Sequence, residues 1–163
     1  APPAPAPAAG KRAASASAAT PVPAGDSGRP HSYDRLVADG DRAIENGQTA
    51  KAQKLYEEAL HLQPNGVAAL TGNAYVLLDH HKALSAIDTF KRALNLSPGY
   101  APALFGLAEA YRLEGEPEQA VAAYKRYLES SPSGTDAPAA RRQIRELEGQ
   151  TSPRAATEPP TAP

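Results

Sequence analysis

Small and apolar side chains recur at a fixed spacing over most of this chain, between Tyr33 and Gly134. Ala52, Ala86 and Ala120, for example, are 34 positions apart. Within each period the apolar residues follow the spacing of one helix face, in two runs separated by a short turn. A period of this length indicates a repeated pair of helices that shares its core with neighbouring pairs. The other recurring columns are Leu36/Leu70/Leu104, Gly40/Ala74/Ala108, Tyr56/Phe90/Tyr124 and Pro64/Pro98/Pro132.

The columns have a steric logic. The small columns let two helix axes approach closely, and the aromatic column, four residues after the second small column, is expected to fill the remaining space. Gly47 and Gly115 can adopt positive φ where a helix ends. The corresponding turn of the middle repeat, residues 79–82, contains no glycine. We therefore expect this middle turn to be the most strained or variable of the three.

These columns resemble the tetratricopeptide repeat family, with Ala59 and Ala93 supplying its late alanine in two of the three copies. The chain departs from the family at the early tryptophan position, which is leucine in every copy. The resemblance implies an all-α fold, a right-handed α-solenoid of three helix-turn-helix repeats with a capping helix. The expected domain covers residues 32–148, with repeats at 33–66, 67–100 and 101–134 and the capping helix at 136–148.

The segments on either side of the repeats have a different composition. Residues 1–30 contain seven Pro and eleven Ala, and Val22 is their one large apolar residue. Such a segment buries too little surface to offset its ordering entropy, so residues 1–31 and 149–163 are predicted to be disordered. Residues 1–9 are interpreted as a semi-rigid spacer, with a proline-motif ligand as the alternative. Because the chain starts without Met, we expect a fragment of a longer protein.

Charge and composition argue against several classes of function. The net charge of −1 gives no electrostatic case for nucleic acid, and no apolar run approaches the roughly 18 residues of a membrane span. The chain has no Cys, and the adjacent His80 and His81 are a poor ligand pair because their side chains point apart. No catalytic motif is present. We therefore expect no enzymatic activity, cofactor or metal; a cytoplasmic location is expected, with a periplasmic or membrane-tethered one left open.

In the tetratricopeptide family the first helix of each repeat lines a concave groove, which suggests where a partner could bind. The predicted surface is apolar and acidic, so the expected partner is a protein that presents a basic and apolar peptide or helix. Tyr75 and Phe105 are either an exposed anchor for that partner or packing between helices. Helical spacing places the following residues on this face: Asp34, Val37, Asp41, Ile44, Glu45, Thr71, Tyr75, Leu78, Asp79, Phe105, Glu109, Arg112 and Leu113.

One subclass of the family grips the C-terminal carboxylate of a chaperone peptide with Lys, Asn and Arg. The matching positions here are Val37, Asp41, Gly72, Pro102 and Gly106, none of which is a cation.

The sequence therefore predicts a protein-interaction scaffold of another binding class. The alternative is a structural module that self-associates by stacking through its uncapped N-terminal end at Ser32–Tyr33. A monomer is expected, and a homo-oligomer is left open.

Overall fold

The computed structural model describes residues 32–151, so the expectations for residues 1–31 and 152–163 concern segments outside the described residues. The described part is all-α, as predicted. Its helices are α1 (Tyr33–Glu45), α2 (Thr49–Leu62), α3 (Val67–Asp79), α4 (Ala83–Leu96), α5 (Ala101–Glu114), α6 (Pro117–Ser130) and α7 (Ala137–Thr151). The predicted capping helix corresponds to α7, which continues beyond residue 148 into the segment that was assigned to the tail.

Local capping explains several helix ends. The side chain of Ser32 accepts a hydrogen bond from the backbone N–H of Arg35 and so begins α1, as the sequence predicted. Gly115 ends α5 in the left-handed conformation, with φ of 77°. Pro117 is the first residue of α6, where its missing N–H costs no helical hydrogen bond.

The turn between α3 and α4 differs from its two counterparts. Gly47 and Gly115 have φ of 71° and 77°, whereas the equivalent residue of the middle repeat, His81, has φ of 57°. A side chain with a Cβ is disfavoured in this left-handed region by about 1–2 kcal/mol. The prediction that the middle turn is strained is confirmed for His81.

The helices pack in chain order, each against the next, and the pairs α1–α2, α3–α4 and α5–α6 form the three repeats of a solenoid. The aromatic column joins one pair to the next. Tyr56 is 1% exposed and lies against Gly40 of its own pair and Gly72 of the following pair. Phe90 lies in the same way against Gly106. A methyl group at either later glycine would collide with the ring, so these glycines permit close stacking of the repeats.

Helix α7 closes the C-terminal end of the array. Its apolar stripe of Ala140, Ile144 and Leu147 is buried, as predicted, and α7 packs on α6. A second helix of a further repeat would pack on the opposite side of α7, where Arg142 and Arg145 are exposed. A charged, solvent-exposed outer side is what is expected of the terminal capping helix of a repeat array.

Helix α1 likewise ends the array at its N-terminal side. In α3 the side that receives the preceding repeat carries small or apolar residues that are buried. The equivalent positions of α1 include Arg35 and Arg42, and both are exposed. Their side chains form ion pairs with Asp39, at 3.9 and 2.7 Å respectively. The outer face of α1 is therefore solvated and charged.

None of the helices in residues 32–151 combines the length and apolarity that crossing a membrane requires.

Candidate functional site

The first helices of the three repeats form one layer of the array. Helix α1 contacts α3, and α3 contacts α5, in addition to the contacts between sequence neighbours. Contacts between α2 and α4, or between α4 and α6, are marginal at most. In a curved stack the helices that approach each other more closely lie on the inside of the curve. We call the face of α1, α3 and α5 that points away from the second helices the inner-face groove.

The residues that the sequence assigned to this groove differ widely in exposure. Four are exposed, seven are partly buried and two are fully buried. The exposed ones are Asp34, Glu45, Asp79 and Leu113; the partly buried ones are Val37, Asp41, Ile44, Tyr75, Leu78, Glu109 and Arg112; the buried ones are Thr71 and Phe105.

Phe105 and Thr71 present no side-chain surface to a partner, contrary to their assignment to the groove. Phe105 is 0% exposed and packs edge-to-face against Tyr124 and Tyr127, with ring centroids 5.4 and 5.2 Å apart. Thr71 is 4% exposed, and its hydroxyl donates a hydrogen bond to the carbonyl oxygen of Val67 within α3. Of the two roles left open for Phe105, packing between helices is the correct one.

Two predicted groove carboxylates each join the first helix of a repeat to the second helix of the same repeat. The hydroxyl of Tyr56 donates a hydrogen bond of 2.7 Å to Asp41 in the first repeat, and the hydroxyl of Tyr124 donates to Glu109 in the third repeat. Glu109 also accepts a hydrogen bond of 3.0 Å from Arg112. Burial raises the pKa of Asp41, against the opposing effect of the hydrogen bond from Tyr56. These charges are largely committed to internal partners.

The middle repeat uses the same two positions differently. Asp41, Tyr75 and Glu109 are equivalent by the 34-residue period, and Tyr75 faces Phe90 where the other repeats pair a carboxylate with a tyrosine. The rings of Tyr75 and Phe90 pack edge-to-face with centroids 5.2 Å apart. The Tyr75 hydroxyl donates a hydrogen bond of 2.8 Å to the carbonyl oxygen of Pro102. The aromatic pair thus replaces the acid–tyrosine pair.

The surface that remains accessible is apolar in the middle and acidic around it. Val37, Ile44 and Leu78 are partly buried against the two apolar cores. Glu45 and Asp79 supply exposed carboxylates at the ends of α1 and α3. Although Asp79 is exposed as a residue, partial desolvation of its carboxyl group raises its pKa, while the neighbouring His80 and His81 act in the opposite direction.

The five positions that would hold a carboxylate clamp are used for packing and internal hydrogen bonds. Gly72 lies against the Tyr56 ring and Gly106 against the Phe90 ring, so neither position has room for a long cationic side chain. Asp41 accepts the hydrogen bond from Tyr56. The structure therefore gives a physical reason why clamp cations are missing from these positions.

The groove predicted from the sequence ends at the third repeat, although by the 34-residue period α7 takes the place of the first helix of a fourth repeat. One further period after Glu109 and Arg112 leads to Gln143 and Glu146 on α7. Gln143 is partly buried and Glu146 is exposed. The signal that would have found them is the repeat period itself, applied to the capping helix.

Comparison with known families agrees with this architecture. Two models described as tetratricopeptide repeat match the chain, one over residues 37–101 and the other over residues 77–144. Together with the seven helices of residues 32–151, these matches show that the chain belongs to the tetratricopeptide repeat family. A search of curated proteins found no match.

Solved structures share the fold at low sequence identity. The first repeat domain of Spaghetti (RPAP3), bound to the HSP90 peptide SRMEEVD, is 20% identical, with 72% of this chain and 91% of that chain covered and a TM-score of 0.66. The Sgt2 domain of Aspergillus fumigatus is 23% identical, with coverages of 80% and 87% and a TM-score of 0.68. The translocator chaperone SycD of Yersinia enterocolitica, in an alternative dimer, is 12% identical, with coverages of 74% and 95% and a TM-score of 0.68. At these identities the likeness establishes the fold alone.

Proposed function

We propose that this chain is a non-enzymatic protein-interaction scaffold whose inner-face groove binds a basic and apolar peptide or helix of a partner protein. One observation carries the proposal. The layer of α1, α3 and α5 has an uncovered side on which partly buried apolar residues lie beside exposed carboxylates. A fold neighbour, the RPAP3 domain, is described with a bound peptide, which supports peptide binding as a use of this architecture.

The partner's chemistry follows from the residues that remain accessible. Val37, Ile44 and Leu78 offer apolar contact, and Tyr75 adds a partly buried ring. The exposed carboxylates nearby favour Lys or Arg in the partner. Three repeats offer a modest surface, so affinity in the range of about 1–100 μM is expected. Binding should weaken with added salt, because exposed charges are screened beyond about 10 Å at 0.1 M ionic strength.

A selection of random peptides on the full chain tests this proposal. The selected sequences should be enriched in Lys or Arg interleaved with apolar residues. Charge reversal of the exposed groove carboxylates, Glu45→Lys with Asp79→Lys, should weaken their binding about tenfold or more. The matched control is Glu58→Lys with Glu129→Lys, which makes the same change of net charge on exposed positions of the second helices.

The control variant should bind the selected peptides within about twofold of the parent. Equal loss in both variants would show that only net charge matters, and the groove proposal would then be wrong. Selection of peptides without basic residues would contradict the charge argument separately.

Stacking through the N-terminal end receives no support from the structure. Its receiving face presents Arg35 and Arg42 in ion pairs with Asp39, where α3, α5 and α7 present buried small or apolar residues. Burying these charges against another copy would cost free energy without an apolar gain. Sedimentation equilibrium across a concentration series should therefore show a monomer. If it shows a dimer, and Ala38→Glu on the same face of α1 dissociates that dimer, the stacking hypothesis would be restored.

A further inference from the structure

A second concave surface lies on the outer side of the array. It is an open groove between α4 and α6, with Leu107 and Tyr111 of α5 as its floor and a volume of about 510 Å³. Its walls include Lys91, Pro98 and Arg126. We call this surface the outer-face groove. It is separate from the inner-face groove, so an occupant here would be an additional partner and not the one proposed above.

Both charged residues that line the outer-face groove are cations, and the carboxylates that act on Lys91 belong to residues outside this lining. Lys91 and Arg126 are both exposed, and no carboxylate is among the residues that line the groove. The ammonium nitrogen of Lys91 lies 5.5 Å from the centre of the Tyr111 ring, a cation–π contact that holds the charge over the floor. The floor is formed by Leu107 and Tyr111 but is nearly covered, since they are 5% and 9% exposed; the exposed Pro98 and Ala122 add accessible apolar surface at its edge. Two cations therefore flank a small apolar surface.

The equivalent positions one repeat earlier have a different charge. Lys91 corresponds to Glu57 by the 34-residue period, and the groove residue Ala122 corresponds to Asp88. Glu57 and Asp88 are exposed. The earlier position thus has two carboxylates where the outer-face groove has a cation and a methyl group. The positive charge of the outer-face groove is therefore specific to the contact between the second and third repeats and is not a feature of every repeat.

An arginine spans the gap between the first and second repeats, whereas the equivalent arginine between the second and third repeats makes no such contact. Arg92 of α4 donates a hydrogen bond of 2.7 Å to the carbonyl oxygen of Pro64, which follows α2. Arg126 and Pro98 are the equivalent pair one repeat later, and both line the outer-face groove. The structure shows no hydrogen bond between them, and among residues 32–151 Arg126 has no hydrogen-bond or ion-pair partner. The guanidinium of Arg126 can therefore meet an external acceptor.

From this geometry we propose that the outer-face groove binds an acidic peptide segment of a partner protein. A Glu or Asp carboxylate of the peptide is held by Lys91 and Arg126, and a neighbouring apolar side chain packs on the exposed Pro98 and Ala122. Charge-assisted hydrogen bonds to Arg and Lys favour a carboxylate, and the apolar lining favours a flanking leucine or phenylalanine. A phosphate ion would use the two cations but not the apolar lining.

The test is an NMR titration of the full isotope-labelled chain with defined probes. The main probe is a blocked pentapeptide with a central Glu between two leucines, and the matched probe replaces that Glu with Gln. Inorganic phosphate is the third probe. We expect saturable shifts in α4, α5 and α6 with the Glu peptide, at least about tenfold weaker binding of the Gln peptide, and weaker perturbation by phosphate alone.

Two variants with equal charge change locate the site. Lys91→Glu with Arg126→Glu should weaken binding of the Glu peptide about tenfold or more. Both side chains are exposed, so the variant should fold like the parent, and circular dichroism checks that it does. Lys51→Glu with Lys54→Glu, at exposed positions of α2, should leave binding within about twofold.

Several results would overturn the proposal. The Gln peptide could bind equally well, phosphate could reproduce the same shifts at the same concentration, or the two variants could weaken binding equally. Shifts confined to α1 and α3 would place the acidic peptide elsewhere. Absence of any saturable shift up to millimolar peptide would also contradict it.

Discussion

Converting the middle repeat to the chemistry of its neighbours tests whether the acid–tyrosine pair is an interchangeable unit of this fold. The change is Phe90→Tyr together with Tyr75→Glu, which copies the pair formed by Tyr124 and Glu109. Phe90 is 0% exposed and its ring packs on Tyr75. Each single substitution therefore acts on a buried contact, and the free energy of unfolding should report it directly.

The magnitudes follow from the contacts. Phe90→Tyr alone places a buried hydroxyl beside the Tyr75 ring without an acceptor, at a cost of about 1–3 kcal/mol. Tyr75→Glu alone loses an aromatic pair worth about 0.5–1.5 kcal/mol and the hydrogen bond to Pro102, worth about 1 kcal/mol. In the double variant the new hydroxyl can donate to the new carboxylate. The two changes should then be coupled favourably by about 1.5–3 kcal/mol.

The assay is denaturant unfolding of the parent, both single variants and the double variant, followed by far-UV circular dichroism. A control cycle uses Tyr56→Phe with Asp41→Ala, which deletes the natural pair of the first repeat and should show coupling of similar size. Additivity of the middle-repeat changes within about 0.5 kcal/mol would refute the interpretation that the columns are equivalent.

Three further predictions concern stability. Phe90→Ala should lower the free energy of unfolding by about 3–5 kcal/mol, because the ring is fully buried between two repeats; a thermal melt that matches the parent would contradict the packing described above. His81→Gly should raise that free energy by roughly 0.5–1 kcal/mol, because its positive φ disfavours a side chain, whereas His80→Gly at negative φ should not stabilise, as denaturant titrations can show. Burial first, together with the neighbouring carboxylates, raises the pKa of Tyr56 and Tyr124 above their ordinary 10.0, so the folded state retains these protons to higher pH than the unfolded state. Their contribution to the free energy of unfolding is complete below pH 10 and is lost as the pH rises above it, by up to about 1.4 kcal/mol per pH unit for each tyrosine. Unfolding titrations at several alkaline pH values should show that this free energy falls less steeply with pH in the Tyr56→Phe/Tyr124→Phe variant.

Much of the candidate site can be predicted from the repeat columns, because two of the columns vary together. A carboxylate stands at Asp41 and Glu109 in the repeats whose aromatic residue is tyrosine, and Tyr75 stands where that residue is Phe90. Comparing the two columns position by position predicts the hydrogen bonds that the structure shows. Because Asp41 and Glu109 accept these internal hydrogen bonds, the groove offers a partner fewer carboxylates than the sequence predicted.

The sequence by itself determined the helical repeat, its period and most of the helix ends. Those features depend on local chemistry, such as the cap at Ser32 and the positive φ of Gly115, and on apolar spacing within one helix. Tertiary structure alone decided that Phe105 is buried and that the outer-face groove is open. Helical spacing gives the direction of a side chain from its own axis, but not which neighbouring side chain fills that direction. For Phe105 the rings of Tyr124 and Tyr127 fill it, so a residue on the predicted inner face belongs to the core.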